Sequence, residues 1–327
     1  MGIDTIIEEM NLNVIRKGLW EFKTYPVKVA ELYGGSELYW RGDMAWCLLK
    51  YGARPIDYYR FEFFRLNRHE RKRYLTFYKY LKVAHRLIKS GAIVGDKVKE
   101  YRRYSEYIKR SWLYTPDATE EEIRSFVNDH SPLIAKPNNG EQGRGVIVVS
   151  KEKLNNDLLN DLKISKYLLE EKLTNCSELA AINSSSLNTL RIYTMIDNKG
   201  VPHILSMMLR VGKAGSKVDN WGAGGVGYEI DLKTGFIVGY GIDKQGGRHI
   251  VHPGTDFTMP GFKIPKYAEL LKLIDTICRV DSKVRFVGWD IALTPNGFEL
   301  IEMNCPAGHD FLQTFGKSFG KTIKDLW

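Results

Sequence analysis

Residues 288–304 decide the fold, and they read Gly288-Trp289-Asp290-Ile291-Ala292-Leu293-Thr294-Pro295-Asn296-Gly297-Phe298-Glu299-Leu300-Ile301-Glu302-Met303-Asn304. Two apolar runs flank a turn signal at residues 295–297, which predicts a β-hairpin. Side chains alternate along a strand, so Glu302 and Asn304 share one face. Asp290 lies on the neighbouring strand. These three side chains carry oxygen atoms, and the residues that flank them are apolar and are expected to be buried. Such a group of oxygen atoms is the ligand set that magnesium prefers.

The length of the turn decides whether Asp290 joins that face. A three-residue loop, residues 295–297, places Asp290 directly opposite Glu302. A two-residue loop places Asp290 opposite Ile301 or Met303 on the other face, and the metal site then requires a β-bulge. The alternative is a hairpin with ordinary surface acids. Crowded carboxylates in an apolar setting repel one another and lose hydration, which favours the metal site.

A second motif lies at residues 133–149, where Lys136 ends an apolar run and a glycine-rich loop precedes another apolar run. Gly140, Gly143 and Gly145 would let backbone N–H groups approach a phosphate closely, and Lys136 would add a positive charge. The loop is neither a Walker loop nor a Rossmann turn. Taken alone it fits a flexible hairpin equally well. A metal site elsewhere in the chain makes the phosphate-binding interpretation the stronger one.

The composition is that of a folded protein with two or three lobes. The chain has 327 residues, 43% of them hydrophobic and 27% charged, and no apolar run of membrane-spanning length. Its four cysteines are widely spaced, without a C-x-x-C pair, which argues against a zinc site or a disulfide framework. We therefore expect a cytoplasmic protein, with the inner membrane surface as an alternative location.

The positive charge is concentrated in the N-terminal third. Residues 1–110 hold 23 Lys and Arg against 13 Asp and Glu, whereas the whole chain has a net charge of +9. The excess peaks at residues 60–73, where basic and aromatic side chains interleave. Such a patch suits an anionic membrane surface or a phosphorylated substrate, with nucleic acid the least favoured partner. A solvated helix face explains it equally well.

The pattern of elements predicts an α+β protein. Residues 1–110 are mostly helical, including a helix at residues 77–88, and Thr119 with Glu122 forms a capping box for another. A helix is also expected at about residues 265–280. Short strands are expected at residues 133–135, 145–149, 167–169, 190–196, 204–209, 227–230, 236–240 and in a final hairpin at 285–302. Strands and helices do not alternate regularly, which favours α+β over a doubly wound sheet.

Taken in order, these motifs resemble the ATP-grasp superfamily. The order is Lys97, the Lys136 strand with its glycine-rich hairpin, the segment Glu170-Glu171-Lys172-Leu173, and the hairpin at 288–304. Residues 187–192 and 219–225 most resemble the sugar-transfer-associated ATP-grasp proteins of polysaccharide gene clusters. The similarity covers about residues 93–313.

The resemblance implies a role for each matching position. Lys97 and Lys136 would contact the ATP phosphates, beneath a lid whose candidate residues are Gly140, Gln142, Gly143, Arg144 and Gly145. Glu170, Glu171, Lys172 and Leu173 would form the edge that binds adenine, largely through backbone groups. Glu178 would bind the ribose hydroxyls, although surface charge explains Lys172 and Glu178 nearly as well. Asp290, Glu302 and Asn304 would hold magnesium, with manganese as the alternative ion.

Arg191 stands on an apolar strand, where a guanidinium must find an anion. We assign it to the transferred phosphoryl group or the acyl phosphate, with a structural salt bridge as the alternative. Arg210 and Asn220 bracket a glycine-rich stretch, and by resemblance they would complete the phosphate and metal shell. His309 and Asp310 directly follow the metal hairpin, and would contact a substrate or merely cap a helix.

The resemblance implies an ATP-grasp fold with three parts. A helical, basic region at residues 1–111 would precede a small lobe at 112–170, which carries the lid, and a large lobe at 171–327, which carries the metal site. The expected activity is an ATP- and magnesium-dependent carboxylate–amine ligase. It would act through an acyl phosphate and join an amino acid to a sugar or another building block of a surface polysaccharide. The basic region would hold a sugar nucleotide or a lipid-linked phosphate.

Two other functions stay open at this point. One is an ATP-grasp kinase that phosphorylates a hydroxyl, for which histidines such as His249, His252 and His309 are available as bases. The other is a non-catalytic nucleotide-binding partner of a glycosyltransferase. Intact candidate metal ligands and phosphate-binding lysines argue against the second.

Overall fold

The structure is a computed structural model that describes residues 3–88, 92–140, 145–216, 219, 221 and 224–326, with the backbone alone for residues 3–15 and 85. Across these ranges, none of the helices combines the length and the apolar character that a membrane crossing requires. The chain divides into two compact units. One comprises Met1–Leu87 with Gly308–Trp327, and the other comprises Ile88–Ala307.

The first unit is helical, as the sequence predicts. Its helices are α1 (Ile3–Tyr33), α2 (Glu37–Tyr51), α3 (Pro55–Arg60), α4 (Arg68–Lys72), α5 (Phe77–Leu87) and, after the five helices described for the second unit, α11 (Gly320–Leu326). Gly52 ends α2 in the left-handed conformation that glycine adopts without strain. The core of this unit is largely aromatic and includes Trp40, Tyr58 and Phe63.

Several charged side chains of this unit have partners inside it. Arg71 is buried, and both its terminal nitrogens lie 2.9 Å from the Asp43 carboxylate oxygens. Arg60 forms an ion pair with Asp310. The predicted basic patch at residues 60–73 therefore contains arginines that hold the fold together, so it is not wholly a solvated face.

The second unit contains two antiparallel sheets. The described strands are β1 (Trp112–Tyr114), β2 (Leu133–Pro137), β3 (Ile147–Val149), β4 (Tyr167–Glu171), β5 (Thr189–Ile196), β6 (Pro202–Val211), β7 (Val226–Glu229), β8 (Gly241–Ile242), β9 (Arg248–His249), β10 (Phe286–Thr294) and β11 (Gly297–Asn304). Within the described ranges the smaller sheet has the order β1-β4-β2-β3, and the larger has β11-β10-β5-β6-β7-β8-β9.

Helices cover these sheets. They are α6 (Lys97–Arg103), α7 (Glu120–His130), α8 (Asn156–Ile164), α9 (Ser177–Ile182) and α10 (Tyr267–Ile277). The capping box predicted for α7 is present, with reciprocal bonds between Thr119 and Glu122. The mixture of helices with antiparallel sheets confirms the α+β prediction. The strand predicted at residues 236–240 is wrong, because Phe236 and Ile237 form only isolated bridges there.

The β10–β11 hairpin has the predicted pairing of Asp290 with Glu302, and it achieves this with a two-residue turn and a β-bulge. Thr294 pairs with Gly297, so the turn has two residues rather than three. A bulge between Asp290 and Ile291 then shifts the register, and Asp290 pairs directly with Glu302. The bulge reverses the alternation of side chains on β11. Asp290 and Glu302 therefore share a face, which a two-residue turn alone would have prevented.

Candidate functional site

Asp290 and Glu302 form a pair of neighbouring acids at the end of the larger sheet. Asp290 is buried and Glu302 is half-buried. Burial and the neighbouring Asp290 charge raise the pKa of Glu302 above its usual range. In the part of the chain that the structure describes, Glu302 has no hydrogen-bond or ion-pair partner. A partly desolvated carboxylate beside a second one is a natural ligand for a cation.

Asn304 lies two residues beyond Glu302 on β11 and therefore on the same face of the hairpin. It pairs with Gly288 across the two strands. Its amide nitrogen lies 3.3 Å from Asp290 Oδ2 and 3.3 Å from the Gly288 carbonyl oxygen. With the amide nitrogen directed to these acceptors, the amide oxygen Oδ1 is left as a further oxygen donor. The structure thus brings Asp290, Glu302 and Asn304 together.

Asp290 also accepts from two arginines, one on the neighbouring strand β5 and one on β6, the strand beyond β5. Arg191 is its direct cross-strand partner and binds it through both donor nitrogens, at 2.6 and 2.9 Å. Arg210 Nη2 lies 3.1 Å from Asp290 Oδ2. Burial would raise the pKa of Asp290, but the two arginines outweigh it and lower the pKa. Asp290 therefore stays ionised.

Arg191 therefore has an anionic partner within the protein, Asp290, as the salt-bridge alternative expects. Arg210 also donates to Thr189 Oγ1 at 2.6 and 3.1 Å, and it lies 3.6 Å from the Asp219 carboxylate. Any contact of Arg191 or Arg210 with a phosphoryl group remains a proposal, and Asn220 lies outside the described residues.

A pocket adjoins the Glu302 end of the hairpin. Residues from α6, from β2 and its following loop, and from β11 line it: Lys97, Glu100, Tyr101, Lys136, Pro137, Gly140, Val146, Ile301 and Glu302. Two lysines and two carboxylates thus face one cleft. Both lysines belong to the predicted nucleotide-binding set, and Glu302 belongs to the predicted metal set. The cleft matches a site for an anion together with a cation.

Lys136 is held in the pocket by a buried ion network. It pairs with Glu170, whose other oxygen accepts from Tyr101 at 2.6 Å and from Arg110 at 2.9 Å. Arg110 also contacts Glu299 on β11 at 2.7 Å. Burial would raise the pKa of Glu170, but Lys136 and Arg110 outweigh it and lower the pKa to about 2. The network fixes the Lys136 ammonium and joins the two sheets.

The glycine-rich loop is described at both of its ends. Lys97 donates to the Gly140 carbonyl oxygen, which ties the start of the loop to α6. Gly145 has a φ of +74°, and a Cβ there would lie 2.9 Å from Pro137 Cγ. Only glycine meets both conditions without strain. The predicted lid residues Gln142, Gly143 and Arg144 lie outside the described residues.

The predicted adenine-binding edge needs one correction. Glu170 belongs to an inner strand, paired with Trp112 on one side and Ile134 on the other, and its side chain serves the ion network. The Glu171 backbone N–H donates to the Ser111 carbonyl at 2.9 Å. Only Lys172 and Leu173, which follow the end of β4, keep backbone groups outside this pairing. They remain the candidates for binding a base.

Glu178 lies in the first turn of α9 and is exposed. Its carboxylate accepts from the Ser177 hydroxyl at 2.8 Å. Hydrogen bonds from its own backbone N–H and from neighbouring side chains lower its pKa. An exposed, ionised acceptor remains compatible with binding ribose hydroxyls, and that role stays a prediction.

Sequence reasoning missed three residues of this site. Glu100 and Tyr101 follow Lys97 by three and four positions on α6, so a helical projection would have placed all three on one face. Burial raises the pKa of Glu100 to about 7. Arg110 was overlooked because its partners Glu170 and Glu299 are 60 and 189 residues distant in the chain.

The residues at the hairpin fit a magnesium ion that shares its coordination with a substrate. Across the described residues, no group of three or more His, Cys, Asp or Glu side chains forms a ready-made metal cage. Magnesium usually takes only one or two protein carboxylates and completes its shell with water and substrate phosphates. Glu302, the Asn304 amide oxygen and Asp290 provide that partial set. Lys97 and Lys136 provide the adjoining anion site.

Two sheets with a basic, glycine-bordered cleft and a carboxylate hairpin define the ATP-grasp class of proteins. A sequence profile for the sugar-transfer-associated ATP-grasp family matches residues 91–321. The chain therefore belongs to that family, which confirms the resemblance found in the sequence. No curated protein matches the chain by sequence.

Solved structures with similar folds share little sequence with this chain. An ATP-grasp ligase, PsnB, solved with a precursor variant, Mg and ADP, is 15% identical with a TM-score of 0.44; the alignment covers 71% of this chain and 58% of PsnB. D-alanyl-alanine synthetase A from Vibrio cholerae is 13% identical with a TM-score of 0.45, covering 71% and 65%. N5-carboxyaminoimidazole synthetase from Staphylococcus aureus is 12% identical with a TM-score of 0.43, covering 66% and 46%.

Proposed function

We propose that this protein is an ATP- and magnesium-dependent ligase that activates a carboxylate as an acyl phosphate and transfers the acyl group to an amine. The observation that carries the proposal is the cleft in which Lys97 and Lys136 face the Glu302 carboxylate, which has no partner among the residues that the structure describes. A lysine pair beside a carboxylate pair suits the terminal phosphates of a nucleotide together with a divalent cation. Membership of the ATP-grasp family supports the same conclusion.

The charged residues have separate tasks in the first step. Magnesium held by Asp290, Glu302 and Asn304 would neutralise phosphate charge and polarise the transferred phosphoryl group. Lys136, fixed by Glu170, and Lys97 bind the phosphates of ATP as positive charges. The substrate carboxylate oxygen attacks the γ-phosphorus, and the bond from that phosphorus to ADP breaks.

The second step forms the amide. The amine nitrogen attacks the acyl carbon, phosphate leaves, and the nitrogen gives up a proton. Glu100 lines the same cleft, and with a pKa of about 7 it can accept that proton near neutral pH. The loop that follows Gly140 serves as a lid that excludes water from the acyl phosphate.

We further propose that the substrates are an amino acid and a sugar or another building block of a surface polysaccharide. The sugar-transfer association of the family supports this class. A sugar nucleotide or a lipid-linked sugar phosphate is the proposed acceptor. Arg68 and Arg73 are the candidate contacts in the basic segment, because Arg71 is buried against Asp43 and serves the fold.

The test is a product search with the purified protein, ATP, magnesium and pools of amino acids and uronic acids. We expect ADP release together with a product whose mass is the sum of two substrates less one water. Lys136→Met should abolish both, whereas exposed Lys151→Met should not. A phosphorylated substrate without an amide would instead establish the kinase alternative. Nucleotide binding without ADP release would indicate a non-catalytic partner.

A further inference from the structure

Helix α2 has two apolar faces, and only one of them is buried. Trp40, Met44, Cys47 and Tyr51 lie at helical spacing and pack into the core of the first unit. On the opposite side, Leu38, Gly42, Ala45 and Leu49 repeat with the same spacing. Leu38 is 74% exposed and Leu49 is 88% exposed. A Cβ added at Gly42 would meet no atom within 4 Å, so this second face is open.

Helix α1 presents a similar outward face. Tyr25 and Val29 pack into the same aromatic core as α2. Leu19 and Trp20 lie on the opposite side of α1 and are 67% and 54% exposed. The two helices also contact each other directly, and Arg41 of α2 donates to the Phe22 carbonyl oxygen of α1 at 3.4 Å. Here these faces together are called the α1–α2 outer surface; Tyr39, at the start of α2, is also exposed.

Basic side chains surround these apolar groups. Those that are exposed on the two helices are Arg16, Lys17, Lys23, Arg41 and Lys50. The exposed acids in the described side chains of the same helices are Glu31 and Glu37. The other two acids, Glu21 and Asp43, form ion pairs with Arg54 and Arg71. The surface is therefore apolar at its centre and positive at its margin.

We propose that the α1–α2 outer surface binds the surface of an anionic lipid bilayer. Exposed leucines and a tryptophan surrounded by lysine and arginine match the boundary between acyl chains and negatively charged headgroups. A second copy of the chain fits less well, because joining two such surfaces would bring two positive margins together. This inference is independent of the proposed ligase reaction.

The test is sedimentation of the full chain with vesicles of phosphatidylcholine alone or mixed with phosphatidylglycerol. We expect binding to the mixed vesicles only, weakened by added salt. Lys23→Gln combined with Lys50→Gln should weaken binding by roughly tenfold or more. Leu49→Asp should weaken it by a similar factor. Ile164→Asp is the matched control, because Ile164 is 79% exposed in the second unit and should leave binding unchanged.

Circular dichroism and thermal unfolding of each variant separate loss of binding from loss of folding. Equal sedimentation with both kinds of vesicle would overturn the proposal, as would full binding by folded Leu49→Asp protein. Concentration-dependent self-association without lipid binding, relieved by Leu49→Asp, would show that a second copy occupies this surface instead.

Discussion

Replacing Arg110 by methionine should destabilise the second unit more than any surface charge substitution. Arg110 has a buried side chain that contacts Glu170 and Glu299 at 2.9 and 2.7 Å. It also donates to the Leu300 carbonyl at 2.8 Å. Methionine fills similar space but leaves Glu170 with Lys136 and Tyr101, and Glu299 with the backbone N–H of residue 110 in place of a positive charge. Repulsion between unpaired buried charges then opposes folding.

Two estimates of the free energy of unfolding that is lost on this substitution are of similar size. Removing one partner of a buried ion pair costs about 3–5 kcal/mol. The pKa of Glu170 is about 2, against an ordinary value of 4.5, which corresponds to about 3 kcal/mol of favourable interaction that Lys136 and Arg110 supply together. This stabilisation is complete above pH 4.5 and is lost as the pH falls through about 2. A loss of about 3 kcal/mol is large against a total stability of about 5–15 kcal/mol.

The assay is urea unfolding at neutral pH, followed by circular dichroism and by tryptophan fluorescence. Arg279→Met is the matched control, because Arg279 pairs with Asp275 on the surface, where both side chains are more than half exposed. That change should cost less than about 1 kcal/mol. Adding Glu299→Gln to Arg110→Met should restore part of the loss, since one unpaired charge is removed.

This reasoning would be refuted if Arg110→Met lowered the free energy of unfolding no more than Arg279→Met does. So would a double variant that is less stable than Arg110→Met alone. Either result would mean that water or a structural rearrangement compensates the carboxylates, and that the network does not fix Lys136.

Three further predictions concern the cleft. Lys136→Met should lower kcat/KM for ATP by about 100-fold or more, measured by coupled ADP release per folded molecule, because the change also removes the ion-pair partner of buried Glu170 and lowers stability. Stability of the unliganded protein should fall between pH 4.5 and about 7 because folding raises the pKa of Glu100; Glu100→Gln should reduce that fall in the urea midpoint, with the raised pKa of Glu302 supplying the remainder. Gly145→Ala should lower the melting temperature more than Gly95→Ala, since both glycines have positive φ but only Gly145 faces a close neighbour, Pro137.

Local patterns predicted much of the fold correctly. The capping box at Thr119 and the β10–β11 hairpin follow from residues close together in the chain. Residues 236–240 were wrongly predicted as a strand because an apolar run alone does not supply a pairing partner. The sequence left the turn length open, since Gly297 fits either as a loop residue or as the first residue of β11. Its φ of +106° is open to glycine in both cases.

The candidate site was predicted less completely, for a physical reason. The sequence indicated Asp290, Glu302 and the two lysines because each occupies a recognisable motif. It did not indicate that Asp290 is paired with Arg191, since cross-strand pairing joins residues 99 positions apart. Arg110 has no motif of its own, and its role follows only from the folded arrangement of Glu170 and Glu299.

The bulge beside Asp290 allows one hairpin to combine a two-residue turn with a direct pairing of Asp290 and Glu302. Residues 297–300 follow the alternation imposed by the tight turn, whereas residues 302–304 follow the opposite alternation. Without the bulge, the two-residue turn would place Ile301 opposite Asp290 and turn Glu302 to the other face. Deleting Ile301 should therefore remove the bulge yet keep the acid in place, because a regular ladder would then pair Leu300 with Ile291 and Glu302 with Asp290.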